Sequence, residues 1–197
     1  MQLTDSLSLV IPLRAADDGT VLVRGFHTPI SRQVFEENFR ILGATKAALF
    51  SNGAKYASEV GPQIAALLLK DEAKRESIRL EQFDADNQPD ISGAIALLAE
   101  IKRLTVILAP GPGGWEQLPV DVALARKIID EDEWRDAEAG LCFFTSLFSL
   151  CPKRQRAKVI DGLAAPIGGI GTSLTLMDFI ASLPTSTQTA TSVLKVA

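Results

Sequence analysis

Apolar residues come in two short extended runs at the start of the chain and then recur at helical spacing for most of its length. The runs at 6–13 and 20–26 are rich in Leu, Val and Ile. Between them lie Ala15, Ala16, Asp17, Asp18 and Gly19, an Asp-Gly stretch that tolerates a positive backbone angle, so the pattern predicts an N-terminal β-hairpin. Pro29 resists regular strand pairing, and the Ser31 hydroxyl can accept a bond from an orphaned backbone amide, which predicts a helix over 32–50. Val34, Phe35, Phe39 and Leu42 share one stripe of it, with Glu36, Glu37 and Arg40 elsewhere. Ser51, Asn52 and Gly53 end this helix, because Asn and Gly adopt the left-handed cap. A second helical stretch, 54–83, carries Tyr56, Val60, Ile64, Leu67 and Leu68, with Pro62 as a point of division and a solvated mixed-charge character from Asp71 onward.

The polar segment 84–90, broken by Pro89, is the expected boundary between two subdomains of a single domain over 1–183: a hairpin plus helices in 1–83, and a helical part in 91–183. Asp90 caps a helix bearing Ile91, Ile95, Leu98 and Ile101, whose end at 104–108 reads equally as a strand. A Pro- and Gly-rich breaker at 109–114 follows, and Pro119 opens a short helix reaching Ile129. Asp130, Glu131, Asp132 and Glu133 then stand where a helix start favours negative charge, with Asp130 and Glu133 at capping-box spacing. In the helix they open, Trp134, Ala137, Leu141, Phe144 and Phe148 form a stripe that Cys142, Phe143 and Leu147 widen until it is apolar nearly all round. Such a helix is either a central core helix or an oligomer interface. Pro152 opens a basic amphipathic helix over 153–163, a glycine-rich loop spans 164–171, and Thr175 with Asp178 starts a last helix carrying Leu176, Phe179, Ile180 and Leu183. From 184 to 197 the Ser/Thr-rich tail has too little apolar surface to offset its ordering entropy and is expected to be flexible. The expected fold class is mainly α with a small N-terminal β-hairpin (α+β): a helical body and a flexible tail.

Composition narrows the partners rather than the fold. With 197 residues, 47% hydrophobic and 22% charged, the chain can bury a sizeable core. A net charge of -4 supplies no general attraction to nucleic acid or anionic membrane, so neither is an expected partner. The longest apolar stretch, 139–151, contains Thr145, Ser146 and Ser149 and is shorter than the roughly 20 residues needed to span a bilayer. The start of the chain lacks the basic and apolar regions of a signal peptide, which predicts a cytoplasmic location. Cys142 and Cys151 in that setting read as buried free thiols.

No catalytic, cofactor or metal constellation is expected. The one histidine, His27, sits at a strand-to-helix junction and reads as a surface or capping residue rather than the base for a Cys142 or Cys151 nucleophile. The acidic run is explained by a helix start and lacks the calcium-loop pattern. The glycine-rich loops 111–114 and 168–171 lack the lysine of a nucleotide-binding loop and read as turns. Lys153, Arg154, Arg156 and Lys158 have no interleaved aromatic residue and read as a solvated face, open to contact with an acidic partner.

Three stretches of the chain resemble the tail assembly chaperones of tailed bacteriophages. They are Pro29, Ile30 and Ser31 leading into Val34 and Phe35; residues 114–119 followed by Asp130 to Trp134; and residues 172–179 with 183–187. The resemblance implies a non-enzymatic, cofactor-free protein of the bacterial host cytoplasm that coats the helical tape-measure protein, keeps it soluble and brings tail-tube subunits to it. Partner contacts would then be made by an apolar helix face, with Trp134, Phe143, Phe144 and Phe148 as the candidate residues, and many weak copies or a homo-oligomer would supply avidity. A structural virion component, such as a head-to-tail connector or minor tail protein, is the competing expectation, with the hairpin and tail as docking elements.

Overall fold

Alternation of Leu9 and Ile11 with Val10 along the first strand decides the architecture, because both sets of side chains are buried, on opposite faces of a sheet. The computed structural model of the chain describes residues 7–184. Strands β1 (Ser8–Ala15) and β2 (Val21–His27) pair as the expected hairpin. The helices α1 (Arg32–Phe50), α2 (Ala54–Glu59), α3 (Gly61–Arg79) and α4 (Ser92–Arg103) come next. After them β3 (Thr105–Gly111) and β4 (Gly114–Pro119) form a second hairpin, followed by α5 (Val120–Ala125), α6 (Glu131–Phe148) and α7 (Lys153–Ala164). A single 3-10 turn then leads to β5 (Ile170–Thr172) and α8 (Leu176–Ser182).

The expectation of a mainly α body with only a small hairpin is overturned. The hairpin is the middle of a five-stranded antiparallel sheet in the order β4-β3-β2-β1-β5, and the fold is mixed α+β. The missed strands lack a period-2 signature for a physical reason. In β3, Val106 and Ile107 lean on opposite covered faces beside Leu108, so the run is continuously apolar, as a helix end also is. In β4 a Gly, a Pro and a half-buried Trp115 replace the β-branched residues that mark a strand, and β5 has three residues. The 109–114 breaker is the β3–β4 turn, closed by Gly111 opposite Gly114, whose φ of 128° suits glycine.

Several helix starts follow local chemistry, but α4 is capped at Ile91 with no side-chain bond rather than by Asp90, and α3 and α5 stop at Arg79 and Ala125, short of the expected 83 and 129. Ser31 accepts from the Val34 amide at the start of α1, Thr175 from Asp178 at the start of α8, and Pro62 lies at the start of α3, dividing it from α2. One face of the sheet packs its Leu9, Ile11, Val23, Ile107 and Leu118 against the helices in the main core. That core draws residues from both sides of the 84–90 loop, Leu42 and Leu69 from one and Leu97 and Phe144 from the other. The opposite face carries Val10, Phe26 and Leu108 under Phe179 of α8, with the Phe26 and Phe179 rings 5.7 Å apart. The Trp115 indole also donates to the Pro184 carbonyl at 2.9 Å, pinning the end of α8 to β4. The remainder of the 184–197 tail lies outside the described residues.

Because α8 is short and one phenyl ring fills its contact with the sheet, Phe179→Ala should lower unfolding free energy by about 3 kcal/mol, the usual cost of emptying a buried aromatic site. The midpoint of urea unfolding would show it, and an unchanged midpoint would mean α8 is not part of the cooperative core.

Candidate interaction surface

The acidic run at the start of α6 works as a helix start. The Asp130 carboxylate accepts from the Asp132 and Glu133 amides at 3.0 and 2.8 Å, and Glu133 reaches back to the Asp130 amide at 2.8 Å, completing the capping box. Glu133 also receives a two-pronged bond from Arg14, Nε at 2.7 Å and Nη2 at 2.6 Å, which ties the end of β1 to the start of α6. Among the described residues no group of three or more His, Cys, Asp or Glu side chains could hold a metal ion, and no helix is long and apolar enough to cross a membrane.

Beyond its first turns α6 is enclosed. Trp134, Phe143, Phe144 and Phe148, the residues expected to meet a partner, are all buried in the main core, with Phe144 and Phe148 stacked at 4.8 Å. Packing within this chain uses them, and each is at most 6% exposed. Of the two readings of this helix, central core and oligomer interface, the first describes its place here: α6 lies against α3, α1, α4, α7 and β1.

His27 also departs from expectation. It is fully buried, opposite Thr105 in the β2–β3 pairing. The Thr105 hydroxyl gives its proton to the Ile101 carbonyl at 2.8 Å, so it accepts from His27 Nδ1–H at 3.0 Å and leaves Nε2 buried without a partner. Burial pushes the His27 pKa down from 6.5 to about 4. Burial likewise pushes the Cys142 thiol up to about 12, the opposite of an activated nucleophile. Cys151 is half-buried, not buried as expected, and its thiol donates to the Leu147 carbonyl at 3.3 Å. Of the glycine-rich loops, the first is the β3–β4 turn and the second leads through Gly168, at a φ of 63°, into β5.

Apolar surface appears instead at the α3–α4 connection. Ile78, Leu80, Phe83 and Ile95 are each 42–57% exposed, and Leu67 on α3 is 63% exposed. The connection between α3 and α4, from which Phe83 projects, is itself an ordered frame. Asp84 accepts from the Asp86 and Gln88 amides at 2.9 Å each, Phe83 bridges to Pro89, and the Ser77 hydroxyl bonds the Asp90 carbonyl. Arg79, and Arg40 across from α1, hold the Glu76 carboxyl down to about 2 and fix the end of α3 against α1. Leu67 and Ile95 stand on the apolar stripes expected to face inward, and Ile78 and Phe83 stand among charges, so only the packed fold shows which way these side chains point.

Two measurements check this chemistry. The unfolded chain protonates His27 at 6.5 and the native one only near 4, so stability should fall between those values as pH drops, by up to about 3 kcal/mol. His27→Leu should flatten that part of the profile in urea titrations, and an unchanged slope would refute it. A thiol reagent should modify Cys151 in the native protein and Cys142 roughly a hundredfold more slowly; two equal rates would contradict the burial of Cys142. Compared with protein families, with characterised proteins and with solved structures, the chain matches none.

Proposed function

We propose that the protein is a tail assembly chaperone of a tailed bacteriophage, binding the tape-measure protein and tail-tube subunits through apolar contacts while the tail is built in the host cytoplasm. The observation that supports this reading is the exposed set Leu67, Ile78, Leu80, Phe83 and Ile95. Large apolar side chains held outward at a helix end suit the apolar stripe of a long partner helix. Charged neighbours Lys74, Arg75 and Arg79 on α3, ion-paired to Asp71, Glu72 and Glu76, supply the polar rim of such an interface. A patch this small gives weak single contacts, and many copies along one tape-measure chain would add up by avidity. The competing assignment to a virion component rested partly on a docking hairpin. In the fold β1 and β2 are interior strands, each paired on both sides, which leaves that hairpin no free edge.

The test is co-expression with the tape-measure protein of the same genome, followed by recovery of soluble complex. The wild type should keep the partner soluble, and Ile78→Asp or Phe83→Asp should each cut the recovered complex roughly tenfold, as loss of an interface anchor does. Met177→Asp, a 65%-exposed site on α8 across the sheet, should leave it unchanged. A tape-measure protein that aggregates regardless, or this chain found in purified particles, would overturn the assignment.

A further inference from the structure

On β2 the outer side of the sheet changes character within two residues. Phe26 lies under Phe179 of α8, whereas Arg24, two positions earlier and therefore on the same face, stands opposite Pro12 of β1 and Leu108 of β3. Arg24 is half-buried, and its Nε is enclosed with no hydrogen-bond partner. Burial lowers its pKa, and no carboxylate acts on it in the opposite direction. Other arginines of the chain are engaged: Arg14, Arg103 and Arg126 pair with carboxylates, and Arg156 donates to two backbone carbonyls.

An arginine on an apolar surface ordinarily lays its stem along that surface and keeps its head in water. Arg24 departs from that arrangement, because Nε, the first nitrogen of its head, is shut off from water. A desolvated, unpaired cation destabilises the fold, so the chain by itself bears a cost that an anion at this place would remove. The surroundings are those of an uncovered part of the sheet. Pro12 beside Arg24 is exposed, as is Gln117, two strands along the same row. Met177 of α8, to whose sulfur the Gln117 amide donates at 3.5 Å, is 65% exposed. A held cation among exposed apolar groups has the make-up of an interface centre, where arginine is enriched.

We infer that the outer face of the sheet around Arg24 docks an acidic segment of a partner protein, with a carboxylate of the segment accepting from the Arg24 guanidinium and its apolar side chains lying on Pro12 and Met177. Arginine suits that role because its planar fork meets a carboxylate at two points. A net charge of -4 disfavours the phosphate backbone of nucleic acid as the anion, since that needs a basic field over many residues. The face lies on the side of the sheet away from the main core, so it is separate from the α3–α4 patch and does not rest on the chaperone assignment.

The test is titration of the full chain at constant ionic strength with a capped peptide alternating Glu with Leu, the same peptide with Lys in place of Glu, and acetate, followed by amide chemical shifts and the Arg24 Nε–H resonance. The Glu peptide should shift Arg24, Leu108 and Gln117 saturably, and roughly tenfold more tightly than acetate because its leucines are buried as well. The Lys peptide should leave those signals where they are. Arg24→Gln should weaken the Glu peptide roughly tenfold and Arg24→Lys several-fold, while Arg154→Gln, at an exposed cation on α7, should have no effect. Arg24→Met keeps the stem and removes the unpaired charge, so it should raise the midpoint of urea unfolding of the free chain. No saturation at millimolar concentration, a Lys peptide or acetate binding as tightly as the Glu peptide, equal weakening by Arg154→Gln, or a lower midpoint for Arg24→Met would each overturn the docking site.

Discussion

The rest of the structure depends on enclosing α6. Once Leu141, Phe143, Phe144, Leu147 and Phe148 occupy every side of the second half of this 18-residue helix, water must be excluded all round that half, and no single neighbour can do that. Helices α1, α3, α4 and α7 surround it and β1 closes the remaining side, so helices distant in sequence are brought together around a common axis. Close approach is part of the arrangement. A Cβ at Gly61, the first residue of α3, would stand 2.9 Å from the Phe143 ring, so the two helices meet where a side chain is missing. The polar end of α6 is held equally firmly, by its own capping box and by Arg14 from the sheet.

The sheet meets a second demand. Strands β1, β2 and β3 bury both faces, which an antiparallel sheet does only when something covers its outer side. Here α8 does so through Phe179. Burial of both faces also explains the state of His27. Its position on β2 points toward the helical layer, where Thr105 satisfies one ring nitrogen and nothing satisfies the other, so the ring stays neutral.

With the aromatic side chains of α6 committed to the interior, apolar surface falls to a place where the chain turns. The α3–α4 connection displays apolar groups on a frame of Asx-type hydrogen bonds. That surface is assembled from residues near a chain reversal, where backbone groups are already held by local bonds and side chains are free to face outward.

Local chemistry was legible in the sequence wherever a structure depends on near neighbours. The first hairpin, the Ser31 start of α1, the break at Pro62, the capping box at Asp130 and the start of α7 at Pro152 all follow from residues a few positions apart. Strand pairing, burial and exposure are not local properties. Whether residues 105–108 form a strand depends on β2 and β4 lying alongside, and whether Phe144 or Phe83 meets water depends on which elements pack over it. The sequence by itself therefore determined where several of the helices begin and that α6 had to be enclosed. Only the tertiary structure decided that five strands make one sheet, that His27 is interior, and which apolar groups are left at the surface, because those outcomes are set by contacts between residues far apart in the chain.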